Sequence, residues 1–409
     1  MKFILVVSDG MCDWPLEQLN GKTVLEAAKK KNMDFLAQHG VCGEMNNLFE
    51  GLPFCSSVAN LSLLGYDPKK YFSGRGPIEA VAAGVEFSAD DTVFRCNLVT
   101  EKNGVLEDYS AGHLSSEEGK ELVAALNEKL GGNGVEFFPG VSYRQILILS
   151  GKNFCGKVQC EQPHDWCGTE IEKILPKANG NGASAATQKK LLELIKASKG
   201  VLENHPVNEK RKKEGKNPAN LIWPWSGGKK LAIPSFKEKF GLSGAVISAV
   251  DLIFGIGISA GLEPVKVKGA TGLWDTNYEG KADAAVEALK EKDFVLVHIE
   301  APDEAGHAGR IDLKKKAIED IDEKAIGRIV EKLNAQKIPF CIAVMADHLT
   351  PIKAKTHVLG KVPFLVYSSE WSPEKSVECF DEKTVAAKGI GVIEGKDFME
   401  FFISIGSKQ

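Results

Sequence analysis

Short apolar runs alternate along this chain with longer segments of helical periodicity. Phe3 to Val7 is continuously apolar and then breaks at Ser8 and Asp9, as a strand buried on both faces does. Thr23 to His39 repeats apolar residues at helical spacing and stops at Gly40, which predicts one amphipathic helix. Ala245 to Val250, Val265 to Val267, Phe294 to Ile299, Phe340 to Met345 and Val362 to Tyr367 read as further buried strands, with a long charged helix, Asp312 to Leu333, between two of them. This alternation predicts an α/β fold built on a mostly parallel sheet with helices on both faces.

The pattern changes in the middle of the chain. From about Lys69 to Gly228 the apolar runs shorten and glycines multiply, with polar stretches at Gly131 to Gly134 and Ala178 to Ala186. The alternating segments Thr92 to Thr100 and Tyr143 to Leu149 suit a separate α+β unit. The expected organisation is a core from residues 1–70 and 229–409, interrupted by an inserted domain at 71–228.

Composition narrows the class. The 409 residues are 43% hydrophobic and 26% charged, which is ordinary for a soluble enzyme of this length. A net charge of −4 argues against a nucleic-acid partner, and the basic run Lys210 to Lys213 reads as a solvated helix face. The nine cysteines form no Cys-x-x-Cys pair, which fits a reduced, cytoplasmic setting. The N-terminal apolar run is too short for a signal peptide, and no stretch reaches the ~18 apolar residues of a membrane span.

Asp and His cluster at the ends of the predicted strands. Asp9 comes directly after the first strand, in V-V-S-D-G. Asp303 and His307 come after Phe294 to Ile299, in H-I-E-A-P-D-E-A-G-H. Asp347 and His348 come after Phe340 to Met345, in V-M-A-D-H, and His357 precedes the last strand, in K-T-H. In an open α/β sheet, residues just past the carboxyl ends of strands converge on one crevice. Asp303 and His307 are one helical turn apart and can share a face. Four segments delivering carboxylate and imidazole to one place predict a divalent-metal centre of the Mn²⁺, Zn²⁺ or Mg²⁺ type. His298, inside a strand, reads as a core histidine, and His39, His113 and His205 have no such context.

The segment Gly51 to Pro68 looks like a loop opening a helix, with Ser56 at the helix N-terminus, where backbone N–H groups favour an anion. A serine hydroxyl beside a divalent ion ionises more readily and can attack phosphorus. Cys55 is no phosphatase nucleophile of the C-x5-R kind, because Leu61 stands where the arginine would be. Gly21-Lys22-Thr23 lacks the first glycine of a phosphate-binding loop, and G-I-G-I-S-A at Gly255 to Ala260 falls inside a helical stretch.

Taken together, V-V-S-D-G-M, V-A-N-L-S-L-L-G-Y-D-P, Y-F-S-G-R-G-P-I-E-A, F-R-C-N, G-A-V-I-S-A-V-D-L, G-A-T-G-L-W-D-T, H-I-E-A-P-D-E-A-G-H and A-D-H-L-T-P-I-K-A-K-T-H resemble the archaeal-type cofactor-independent phosphoglycerate mutases of the alkaline phosphatase superfamily. The resemblance runs through most of the chain. It implies an alkaline-phosphatase-like core with an inserted domain that closes over the site. It also implies two divalent ions, Mn²⁺ in the first place, with Mg²⁺, Zn²⁺ or Co²⁺ as alternatives. Asp303, His307 and His357 would bind one ion, and Asp9, Ser56, Asp347 and His348 the other. Ser56 would take the phosphate of 3-phosphoglycerate and return it to the 2-hydroxyl of the retained glycerate. Arg75, Arg95 and Arg144, then His164 and Arg211, are the candidates for holding the carboxylate and phosphate of this small metabolite.

The chain departs from the family pattern where its nucleophile loop reads Phe54-Cys55-Ser56-Ser57 in place of P-G-S-D. His113 and Trp225 stand where the archaeal pattern has arginines, as in a bacterial branch sometimes proposed to act on homoserine. Three readings are open: a phosphoglycerate mutase, a related phosphatase or phosphotransferase acting on a small alcohol, and a non-catalytic relative that binds metal or metabolite.

Overall fold

The computed structural model describes residues 1–408. The chain divides into two compact units, Met1–Phe72 with Ile233–Gln409, and Ser73–Ala232. Residues Lys229 to Ala232 stay with the inserted segment because its ends are tied together. Ser73 Oγ donates to Lys229 O at 2.9 Å, and Lys229 N–H donates back to Ser73 Oγ at 3.0 Å.

The first unit is built on an eight-stranded sheet. Its strands in chain order are β1 (Lys2–Ser8), β2 (Val41–Asn46), β3 (Gly244–Ile247), β4 (Glu263–Val265), β5 (Phe294–Ile299), β6 (Phe340–Met345), β7 (Val362–Ser368) and β8 (Val392–Glu394). The spatial order is β4-β3-β5-β1-β6-β7-β2-β8. All pairings are parallel except β6–β7 and β7–β2, so the sheet is mixed on one side of β6. Strands β1, β5 and β6 lie side by side with Val7 opposite both His298 and Met345, which brings their carboxyl ends level.

Helices cover both faces. Phe3 meets Phe402 of the helix Gly395–Gly406 edge-on at 5.4 Å, and a Cβ on Gly406 would press on Phe3 and Cys341. Phe340 lies one residue out of phase with Cys341, so it faces the other way. There it meets Tyr367, which in turn meets Phe35 of the helix Lys31–Gln38. The interiors of the central strands β1, β5 and β6 are fully buried on both sides, as continuous apolar runs require.

The helix expected over Thr23 to His39 is two helices, Val24–Ala27 and Lys31–Gln38. The second begins where Asp322 accepts hydrogen bonds from Asn32 N–H (3.1 Å) and Met33 N–H (2.7 Å). A distant carboxylate thus serves as the cap that local sequence lacks. The charged helix runs from Ile311 to Ala335 with a π-helical stretch at Ile321–Gly327, beside this same cap. The strand expected over Ala245 to Val250 ends at Ile247 because a helix starts at Asp251. In that helix Gly257 packs on Val246, where a Cβ would come within 2.5 Å of its side chain, so this glycine of G-I-G-I-S-A serves packing.

The second unit is α+β. Thr92–Lys102 is its central strand and pairs antiparallel with Leu221–Gly228, Arg144–Leu149 and Val105–Asp108; Val135–Phe138 adds to Arg144–Leu149. Helices Ser116–Leu130 and Ala183–Leu202 bury Leu122, Leu126, Leu191 and Leu194 with Leu98 and Trp223 of the sheet. The polar stretch Ala178 to Ala186 is not all loop, since the longer helix starts within it at Ala183.

One buried carboxyl of the first unit makes stability depend on pH. Glu382 accepts from Asp13 N–H (3.1 Å) and Thr23 Oγ (2.6 Å), and burial of its carboxyl pushes its pKa from 4.5 up to about 7. A raised carboxyl favours the protonated native state. Its contribution is therefore complete below pH 4.5 and is lost as pH rises through 7. Glu382→Gln is expected to gain on the wild type by on the order of 1–3 kcal/mol between pH 4.5 and 8. Urea titrations at both pH values check this, and a gap that shrinks with rising pH would refute it.

Candidate metal centre

Strand β1 is followed directly by Asp9, which is 1% exposed and whose N–H donates to Ile299 O of β5 at 2.9 Å. Gly10 then turns with φ +60°, and a Cβ there would fall 2.5 Å from Asp303 Oδ1. Only glycine lets the chain turn so close to a carboxylate. Asp303 lies on the helix Ala301–His307 just after β5, and Asp347 and His348 come just after β6. Ser56 is the first residue of the helix Ser56–Leu63, with Cys55 extended before it.

The Asp and His residues read from the sequence come together here. His307 Nε2 is 3.2 Å from Asp303 Oδ2, His357 Nε2 is 3.5 Å from Asp303 Oδ1, and the two Nε2 atoms are 3.1 Å apart. His348 Nε2 is 3.5 Å from Asp9 Oδ1, 3.4 Å from Asp347 Oδ2 and 3.1 Å from Ser56 Oγ. The outer nitrogens are anchored: His307 Nδ1 at Lys355 O (3.0 Å), His357 Nδ1 at Phe54 O (3.0 Å) and His348 Nδ1 at Thr350 Oγ1 (3.2 Å). Anchoring Nδ1 turns each Nε2 inward, as metal-binding imidazoles require. Asp347 is held by Gly10 N–H, His348 N–H and Asn60 Nδ2.

Electrostatics describe a site short of positive charge. Burial pushes the Asp9 carboxyl well up, and Asp347, Asp303 and Glu300 push it further. Burial also works to raise Asp303, but hydrogen bonds from His307 and His357 hold it well below the usual range. The same contact lifts His307 to about 9. Both Asp9 oxygens are buried without a hydrogen-bond partner. Orphaned carboxylate oxygens facing imidazole nitrogens fit a divalent cation of intermediate hardness. Candidate ligand groups within 4.8 Å of one another include Asp303, His348 and His357.

Two residues here escaped the sequence reading. His298 is not simply a core histidine: its Nε2 lies 3.0 Å from Asp9 Oδ2. Glu300, directly after β5, groups with Asp9 and Asp303, and burial with those neighbours pushes it up to about 8. Its position past a strand end was the same signal that marked Asp9.

The candidate substrate residues lie in the second unit. Arg75 and Arg95 both pair with Glu79, at 3.1 and 2.9 Å. Arg95 is 7% exposed, lies over the Trp225 ring at 4.2 Å and is brought down to about 10 by burial, opposed by Glu79. His164 meets the same Trp225 edge-on, and Arg95 and Arg75 add to the burial that lowers its pKa; Arg144 also acts on Arg95. Arg211 is placed differently: its guanidinium is taken up by Glu118 (2.7 Å), Asn217 O (2.8 Å) and Ala111 O (2.5 Å), which is a structural tie. His113, with φ +51°, packs edge-on to Tyr143.

Among the described residues, no helix is long and apolar enough to cross a membrane. The family profile for 2,3-bisphosphoglycerate-independent phosphoglycerate mutase matches residues 37–208. A protein of that name from Methanosarcina barkeri is 46% identical over 403 residues, spanning 98% of this chain and 99% of its own length. A probable enzyme of the same name from Geobacter sulfurreducens is 46% identical over 98% of this chain and 100% of its own. The cofactor-independent phosphoglycerate mutase of Thermoplasma acidophilum superposes with a TM-score of 0.68 at 28% identity, covering both chains completely. The PH0037 protein of Pyrococcus horikoshii does so at 0.82 and 31%, covering 100% of this chain and 98% of its own. With full-length relatives at such identity, the chain belongs to the 2,3-bisphosphoglycerate-independent phosphoglycerate mutase family.

Proposed function

We propose that this chain is a metal-dependent phosphoglycerate mutase that interconverts 3-phosphoglycerate and 2-phosphoglycerate through a phosphoserine at Ser56. The observation behind this reading is the Ser56 hydroxyl at a helix N-terminus, 3.1 Å from His348 Nε2, in a chain 46% identical along its length to relatives of that name. Asp303, His307 and His357 would hold one divalent ion, and Asp9, Ser56, Asp347 and His348 the other. When bound, such ions neutralise phosphoryl oxygens and favour ionisation of a neighbouring hydroxyl.

Ser56 Oγ attacks the phosphorus of 3-phosphoglycerate. The Oγ–P bond forms as the bond to the 3-oxygen breaks, and the serine proton passes to that departing oxygen, which becomes the glycerate 3-hydroxyl. The glycerate 2-hydroxyl then attacks the phosphoserine, and its proton passes to Ser56 Oγ as that oxygen leaves. N–H groups at the start of the Ser56–Leu63 helix favour the phosphoryl charge. In the inserted unit, Arg75, Arg95, Arg144 and His164 bind the substrate's carboxylate and phosphate.

Metal-stripped protein is expected to be inactive. With Mn²⁺ restored, it should interconvert the two phosphoglycerates without added 2,3-bisphosphoglycerate. No turnover with Mn²⁺, Mg²⁺, Zn²⁺ or Co²⁺ would sink the proposal. A second reading, phosphoryl transfer to a small alcohol such as homoserine, draws on Trp225. Its ring covers Arg95 and its N–H donates to Asn97 Oδ1 at 3.0 Å, which leaves less open guanidinium for a doubly anionic substrate. Assaying homoserine with ATP, and simple phosphate esters, beside phosphoglycerate separates the two.

A further inference from the structure

We infer that Glu79 is a positioning residue for the substrate: its carboxylate fixes the directions of Arg75 and Arg95, one guanidinium on each oxygen. The inference rests on the proposed role of those arginines in holding a substrate carboxylate, and it adds the residue that aims them. Glu79 Oε1 lies 3.1 Å from Arg75 Nη2, and Glu79 Oε2 lies 2.9 Å from Arg95 Nε. The side chains of Glu79 and Arg95 are largely buried, whereas that of Arg75 is 30% exposed.

Local structure makes Glu79 a firm point. It lies one turn after Arg75 on the helix Arg75–Ala82, and Arg95 is on the strand Thr92–Lys102. The helix sits directly on that strand: a Cβ on Gly76 would strike Val93 O and come 2.9 Å from Phe94 Cα. Arg75 N–H donates to Ser226 Oγ at 3.0 Å, which ties the helix start to the next strand, Leu221–Gly228. Trp225 pairs with Arg95 across these strands, and the guanidinium lies over its ring at 4.2 Å. A ring fixes the plane of a guanidinium but leaves it free to turn within that plane. The Glu79 oxygen at Nε removes that freedom.

A carboxylate that only neutralised buried Arg95 would need one partner. Glu79 divides its oxygens between Arg95 and the more open Arg75. Burial disfavours the Arg95 charge, Glu79 supports it, and Arg75 and Arg144 oppose it. Three guanidiniums against one carboxylate leave the group positive, as an anionic substrate requires. Removing Glu79 therefore has two opposite effects. Its lost charge would tighten an anion, and its lost geometry would loosen one. Geometry wins, because paired recognition of a carboxylate depends on the direction of the donors.

The test compares wild type, Glu79→Gln and Glu79→Asp, each loaded with Mn²⁺. In Glu79→Gln, the KM for 3-phosphoglycerate should rise about ten- to a hundredfold while kcat stays within about threefold. Glu79→Asp keeps the charge but is too short to span both arginines, so its KM should rise severalfold while it melts as the wild type does. That variant carries the test if Glu79→Gln is unstable. An unchanged or lower KM in both variants would overturn the proposal. So would a kcat that falls in step with the melting temperature at constant KM, which marks a purely structural ion pair. A wild type that phosphorylates homoserine from ATP and ignores phosphoglycerate overturns the mutase reading alone. The same KM comparison is then read on homoserine, which also carries a carboxylate. Turnover of neither substrate overturns both.

Discussion

Ser56→Ala is expected to lower phosphoryl transfer by roughly four to six orders of magnitude, the usual consequence of removing a covalent nucleophile. The hydroxyl is the group 3.1 Å from His348 Nε2, within hydrogen-bond distance of that nitrogen. Ser57 is the natural control. Its Oγ is buried without a partner, so it faces the interior, and Ser57→Ala should keep the rate within about tenfold. Single-turnover assays measure both, and mass spectrometry after a brief reaction with 3-phosphoglycerate should find phosphate on the peptide containing Ser56. Substantial turnover in Ser56→Ala, with loss of activity in Ser57→Ala, would move the nucleophile along by one residue. Cys55 before the serine leaves the path open, because its extended backbone has negative φ and needs no glycine.

Lys314→Met should destabilise the protein by about 3–5 kcal/mol, the range for breaking a fully buried ion pair. Lys314 Nζ donates to Asp13 Oδ2 and Thr350 O, both at 2.8 Å, and to Cys12 O at 3.0 Å, with both charged side chains 0% exposed. The ammonium therefore joins the loop after β1 to the loop after β6. Thr350 extends the link, since its hydroxyl donates to Asp303 Oδ1. Replacing the cation alone strands the Asp13 carboxylate in the interior. The double variant Lys314→Met with Asp13→Asn should recover part of the loss, because no charge is then left unpaired. Urea midpoints of the three proteins decide the point; a double variant less stable than the single one would refute it. Weaker Mn²⁺ affinity in Lys314→Met is expected too, since both joined loops carry residues proposed above as ligands.

Much of the centre was legible because its residues stand at strand ends. Asp9, Asp303, Asp347 and His348 each come after a run whose apolar continuity marks it as buried, and the carboxyl ends of parallel strands open onto a single crevice. His298 was hidden by that same continuity. A strand buried on both faces shows no polar alternation, so F-V-L-V-H-I does not reveal which residue faces the site. Its place depends on the pairing of Val7 with His298, which puts it beside the end of β1. Arg211 shows the converse: one of a basic run in sequence, it is buried by Glu118 and two carbonyls from elsewhere in the chain.

The alternation of buried strands with helices, the switch to a different pattern in the middle of the chain, and the Asp and His at the strand ends were determined by the sequence alone, because burial and local spacing are written residue by residue. Only the tertiary structure decided what depends on distant partners. It split the Thr23 to His39 helix by supplying Asp322 as a cap, set β7 antiparallel in an otherwise parallel run, and turned Asp9 toward two imidazoles at once. A periodic pattern states which face of an element is buried. It does not state which charge from hundreds of residues away meets that face, and at a metal centre that meeting sets the chemistry.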